Sequence, residues 1–256
     1  MAQMLPIKGI VSFAVVGCVL VLGAARHRDE VPQIDAPSTN DLPSFDVASL
    51  KPVSAPYSEG VHFTPGHAAG RAVTIKQLLK LGYGVTARQI TGAPYWVDNE
   101  KFDFDARAAA ADASQLRLMI RSLLVERCHL SVRSERRKSS FYVMTIGKAG
   151  LILPEVKPGE PLPTVKKRPG TGPVAGVFGM SGTLDELANY LSDYRPVDRL
   201  VIDETARQGK YLILFTWLQG EDFIGTLEEI SGLEFEARSG PLDYYLVEHI
   251  ERPTEN

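Results

Sequence analysis

The chain has 256 residues, 44% hydrophobic and 23% charged, enough apolar material for one large core or two small ones. Its formal net charge is -3 and its pI about 6.0, with acids and bases interspersed, so it lacks the basic footprint of a phosphate-backbone binder and no nucleic-acid partner is expected. Only Cys18 and Cys128 are present, the first inside the N-terminal apolar run, so no intramolecular disulfide is expected in the mature body.

Residues 1–26 read as a signal peptide or N-terminal membrane anchor. Lys8 precedes the uncharged run "GIVSFAVVGCVLVLGAA", which ends in small residues before Arg26. Cleavage after Ala25, retention as a transmembrane anchor and lipidation at Cys18 are all open, and the charge flanks put the body outside the inner membrane. An exported, periplasmic or cell-envelope location follows. Residues 27–44 are polar and proline-bearing and read as a tether.

Residues 45–149 form a first α+β unit with a leading strand in "SFDVASLKP". In "VTIKQLLKLGYGV", Thr74 and Gln77 make a capping box, Val73 and Leu78 its hydrophobic staple, and Ile75, Leu78, Leu79 and Gly82 one helical face. A strand "KFDFDA" and a helix with Leu116, Ile120, Leu123 and Leu124 on one face follow; then come a strand from Leu130, a turn "SERRKSS" and a strand "FYVMTI". Residues 150–175 hold six prolines from Pro154 to Pro173 and read as a linker.

Residues 176–256 repeat the pattern after a short leading strand "GVFGM". Thr183 and Glu186 form a second capping box, and Leu184, Leu187, Ala188 and Leu191 occupy the same four face positions. "KYLILFTW" is apolar on both faces, which predicts a central strand. A helix bearing Phe223, Leu227 and Ile230 ends at Gly232; a strand, the turn "RSGPLD" and the strand "YYLVEHI" close the second copy. The expected fold is therefore α+β: two tandem helix-strand-strand-helix-strand-strand repeats, helices packed on one face of small antiparallel or mixed sheets.

No catalytic constellation emerges. Of His27, His62, His67, His129 and His249, only "HFTPGH" is a close pair, read as solvated loop histidines, and no metal or cofactor is expected. His129 and His249 fall at strand positions without an identifiable partner. Asp103 and Asp105 share a strand face opposite Phe102 and Phe104, which reads as a wet face, and Asp203 with Glu204 is the other carboxylate pair. Tyr95 and Trp96, after Pro94, are the candidate binding residues, able to present flat apolar surface to a sugar or peptide or to plug a core edge.

"FDVASLKP", "QITGAPYWVDNEKFDFDA", "LLVERCHLSV", "GKYLILFTW" and "VEHIERPTEN", in this order, resemble the soil-associated family of uncharacterised exported proteins of acidobacteria, from about residue 44 to the C-terminus. The chain departs from that pattern at Arg133, where the family usually has histidine, in "RPVDRLVIDETARQGKY" and in "KSSFYVM". The resemblance implies no assigned activity; in some members a similar domain is joined to a membrane metallopeptidase, which implies extracytoplasmic sensing or binding. Each repeat also looks distantly like the short N-terminal domain of secretins and TonB-dependent receptors. The expectation is a non-catalytic binding or interaction module for an envelope protein, peptide or glycan, held at the membrane by its N-terminal segment. The alternatives are an envelope hydrolase with its site between the repeats, and a scaffold assembling by strand addition.

Overall fold

The computed structural model describes residues 42–54, 58–159, 161 and 174–253. The signal or anchor, most of the tether and half of the proline-rich linker lie outside them, as does Cys18. Among the described residues no helix is long and apolar enough to cross a membrane. The elements in chain order are β1 (Val47–Val53), β2 (Gly60–Thr64), β3 (His67–Thr74), α1 (Ile75–Tyr83), β4 (Ile90–Thr91), α2 (Tyr95–Asn99), β5 (Lys101–Arg107), α3 (Ala113–Cys128) and β6 (Ser131–Ile146). Then follow β7 (Val174–Gly182), α4 (Leu184–Asp193), β8 (Leu200–Asp203), β9 (Tyr211–Leu218), α5 (Phe223–Ser231) and β10 (Leu233–His249). Over the described residues the fold is α+β, five α-helices on antiparallel and mixed sheets.

Local chemistry starts the helices. Thr74 and Thr183 each accept an N–H from the residue three ahead, and Gln77 and Glu186 reach back to the cap N–H, closing both capping boxes. The buried residues of α1 are Ile75, Leu78, Leu79 and Gly82; those of α4 include Leu184, Leu187, Ala188 and Leu191. Helix α5 stops at Gly232, whose φ of 73° and approach to the Gly150 carbonyl leave no room for a Cβ. Helix α3 stops differently. His129 is its C-cap in the left-handed region at φ 47°, not the first residue of a strand.

The first sheet is antiparallel in the order β1-β5-β3-β2. Strand β5 alternates strictly, with Phe102, Phe104 and Ala106 buried and Asp103, Asp105 and Arg107 on the other face. The apolar side meets α1 and α3 in a core that includes Leu50, Leu78, Trp96, Ile120 and Leu124.

The second sheet is mixed, in the order β4-β10-β6-β8, and corrects two sequence expectations. "SERRKSS" and "RSGPLD" do not turn. Strands β6 and β10 run straight through them and pair antiparallel from Ser131 opposite His249 to Ile146 opposite Leu233. The polar run is satisfied across the ladder: Arg136 opposes Asp243 and donates to it at 2.8 Å, Arg133 donates to Glu248 at 2.8 Å, and Ser139 Oγ lies 2.6 Å from Tyr244 Oη. Pro241 is tolerated because β10 has only one neighbour there; β4 joins its other flank at Tyr245 and Leu246 alone. The second correction concerns the chain's end. Val247 and Ile250 pack in the first core, whereas Tyr142, Met144 and Ile146, at the end of β6, pack in the second. Each long strand thus leaves one core and enters the other.

Strands β7 and β9 form a separate two-stranded sheet. Strand β9 is therefore not central. Tyr211, Ile213 and Phe215 face a core with Phe178, Leu187, Leu191, Phe223 and Leu227, while Leu214 on the other face is 46% exposed.

Candidate functional site

The outward face of the first sheet carries a groove of about 380 Å³ lined by Ser49, Lys51, Glu59, His62, Ala69, Gly70, Arg71, Asp103, Phe104 and Asp105. Strand alternation builds it: Ser49, Asp105, Ala69 and His62 stand in one cross-strand row, and Lys51 opposes Asp103 in the next. A bulge in β3 between Gly70 and Val73 bends the floor. There Ala72 takes a φ of 53°, and Asp103 Oδ1 accepts its N–H at 2.9 Å, holding the strained residue in place. A Cβ on Gly70 would come within 2.6 Å of the Gly60 carbonyl oxygen, so only glycine fits this approach.

The groove's carboxylates are engaged within the sheet. Asp103 clamps the bulge, and Asp105 lies 3.0 Å from His67 Nε2 and 3.6 Å from Arg107. Lys51, Arg71, Glu59 and His62 have no side-chain partner among the described residues, which leaves charges of both signs free along the rims. The histidine pair of "HFTPGH" lies on the two strands of a hairpin, His62 on β2 and His67 on β3, not in a loop. Among the described residues no group of three or more His, Cys, Asp and Glu side chains is placed to hold a metal ion.

A second concavity of about 240 Å³ opens where residues 86–89 meet α4 and β8; its polar lining is Thr86, Gln89, Asp185, Asn189, Ser192 and Asp203. The junction is tightly held. The Arg88 guanidinium donates to the carbonyl of Ser192 in the last turn of α4 and to those of Val197 and Asp198 in the segment that follows it, Lys80 pairs with Asp193, and Ala87 N–H donates to Asp193 at 2.8 Å. Asn189 donates to Asp185 at 3.1 Å, and Asp203 accepts from the Thr205 N–H at 2.8 Å.

Tyr95 and Trp96, neighbours on α2, are separated by the structure. Tyr95 is 82% exposed; Trp96 is 9% exposed within the first core, with the Arg252 guanidinium 5.3 Å above its ring. Arg252 also donates to Glu100 at 2.7 Å. His129 and His249 do have a partner, and it is the same one. Glu251 lies 3.1 Å from His129 Nδ1 and 3.0 Å from His249 Nε2, and hydrogen bonds from His249, then His129, hold its carboxyl below the usual range. Cys128 is fully buried, and burial pushes its thiol up to about 12.

Sequence reasoning missed Lys51, Glu59 and Arg71. For Lys51 and Arg71 the signal lay in the outward alternating positions of β1 and β3, but the register of these strands was needed to bring them together, and Glu59, just before β2, falls outside any alternation.

No curated protein and no solved structure matches the chain. A family model described as a protein of unknown function (DUF3738) matches residues 76–250, more than half of the length. By that match the chain belongs to the DUF3738 family of proteins of unknown function.

Proposed function

We propose that the protein is an exported, membrane-tethered, non-catalytic binding module that takes a peptide or glycan in the groove of the first sheet. The observation that carries this reading is the groove itself: a floor of small residues between rims bearing Lys51, Arg71, His62 and Glu59 without side-chain partners among the described residues. Free charges beside an open floor suit an extended polar ligand, whereas Asp103 and Asp105 are committed to holding the sheet. Tyr95, exposed on α2, is the aromatic offered in the same reading.

The module is read as two tandem repeats that exchange strands. Support comes from the crossed pairing: β4 joins β10 of the second half, and β8 joins β6 of the first. Lys138 and Pro241, equivalent when "FYVMTI" is laid on "YYLVEHI", face each other in the ladder, as a two-fold relation requires. The acidobacterial family resemblance and the likeness to secretin and TonB-receptor domains belong to this reading.

Binding to immobilised peptide and glycan arrays tests it. The wild type should retain a ligand class that Lys51→Ala and Arg71→Ala each weaken by about tenfold, the loss expected when one charge-assisted hydrogen bond is removed. Retention unaffected by both substitutions removes the groove as the site. The junction concavity supports a second reading, a hydrolase site between the halves, because Asp185 and Asp203 both line it. Turnover of an envelope substrate, abolished by Asp185→Asn or Asp203→Asn, would favour that reading.

A further inference from the structure

Strand β7 has one neighbour, β9, and its other flank has no partner strand among the described residues. The far flank of β9 is occupied where it begins: Glu155 bridges Tyr211, Val156 N–H donates to the Lys210 carbonyl at 2.7 Å, and Leu212 N–H donates to the Pro154 carbonyl at 2.9 Å. A free flank is a row of backbone donors and acceptors ready to pair with another strand, and proteins guard such flanks with charge, proline or shortness. The other long flanks here are guarded. Strand β6 carries Arg133, Arg136, Arg137 and Lys138 along its unpaired stretch, β10 carries Glu234, Glu236, Arg238 and Pro241, and β1 carries Lys51 and Pro52. Strand β7, "VAGVFGMSG", is 9 residues long with no charge and no proline.

The face of the same ribbon turned from its core exposes apolar side chains. Val177 is 64% exposed and Leu214 46%, and Leu214 stands opposite Gly179, which has no side chain to cover it. We propose that β7 pairs antiparallel with β7 of a second copy of this chain, joining two two-stranded ribbons into one four-stranded sheet about a two-fold axis.

Charge selects this occupant. A two-fold contact sets a patch against itself, so a strand whose charges are mostly of one sign meets that sign again; two copies of β7 bring no charge. The same operation on the β6 flank would crowd Arg136 and Arg137 against their own mates. Pairing also makes the exposed Val177 and Leu214 of both copies contiguous on one enlarged sheet face, and it saturates the backbone groups of both flanks with each other. The contact is distinct from the groove of the first sheet and stands or falls without it.

The test uses the full chain in detergent with Cys18→Ser and a spin label at Val177→Cys, Cys128 being buried. Dipolar coupling between labels should appear and vanish on dilution with unlabelled protein. Ser181→Lys, which places a charge on the flanking strand, should abolish the coupling while leaving the urea midpoint unchanged. Absence of coupling in the parent protein overturns the proposal, as does coupling that Ser181→Lys leaves intact. Amides of β7 protected from hydrogen exchange in a protein without coupling would show that another segment of the same chain fills the flank, which also overturns it.

Discussion

The side chains with the most chemical potential are spent on holding the backbone. Cys128, with a thiol pushed to about 12 and no exposed surface, is a core residue. In a Cys18→Ser chain a thiol reagent should therefore give no labelling at pH 8 until denaturant is added; immediate reaction would contradict the burial. Glu251 ties together the cap of α3 and the end of β10, accepting from both imidazoles while its own N–H donates to the Cys128 carbonyl at 2.7 Å. A carboxyl held below its ordinary pKa by folding stabilises the protein above that ordinary value, and the contribution is lost as pH falls through the depressed one. Glu135, Asp198, Glu236 and Asp243 are depressed by their arginine partners in the same sense. Thermal melts across the acid range should thus show stability falling below the usual carboxylate range, less steeply for Glu251→Gln. An unchanged slope would assign Glu251 no linkage.

At the level of elements, what the sequence disclosed was local. Both capping boxes and the buried faces of α1 and α4 follow from residues three or four apart, which is the reach of helical geometry. Removing the Thr183 hydroxyl by Thr183→Ala should lower the urea unfolding free energy by about 1 kcal/mol. Strand placement was not legible, because pairing is decided by partners far along the chain. "SERRKSS" has the composition of a turn until Tyr244 and Asp243 stand opposite Glu135 and Arg136, and "YLILFTW" has that of a central strand until its only strand neighbour among the described residues proves to be β7. The groove was illegible for the same reason: Lys51 and Arg71 sit on strands joined through β5. Ser192 illustrates a fastening that no pattern reveals. Its buried hydroxyl donates to the Ala188 carbonyl and accepts the Val201 N–H at 2.8 Å, pinning α4 to β8. Ser192→Ala leaves that N–H buried and unpaired and should cost about 1–3 kcal/mol in urea unfolding, a loss that Ser192→Thr reduces if the hydroxyl is what matters.

For the whole molecule, the exchange of β6 and β10 between the two cores decides how it unfolds. The described residues fall within one compact unit, and neither core is complete without a strand that also serves the other. The body is therefore one cooperative structure. Two natural reporters sit on opposite sides of the exchange: Trp96 in the first core and Trp217 against the second. The decisive measurement is urea unfolding followed by tryptophan fluorescence in Trp217→Phe and Trp96→Phe chains, each with and without Val247→Ala, a core truncation worth about 2 kcal/mol. Coincident transitions for both reporters, shifted together by Val247→Ala, are the predicted result. Separate transitions, or a shift confined to the Trp217 signal, would show that the halves stand alone or that the chain's last strand serves the second core, and either would contradict the account.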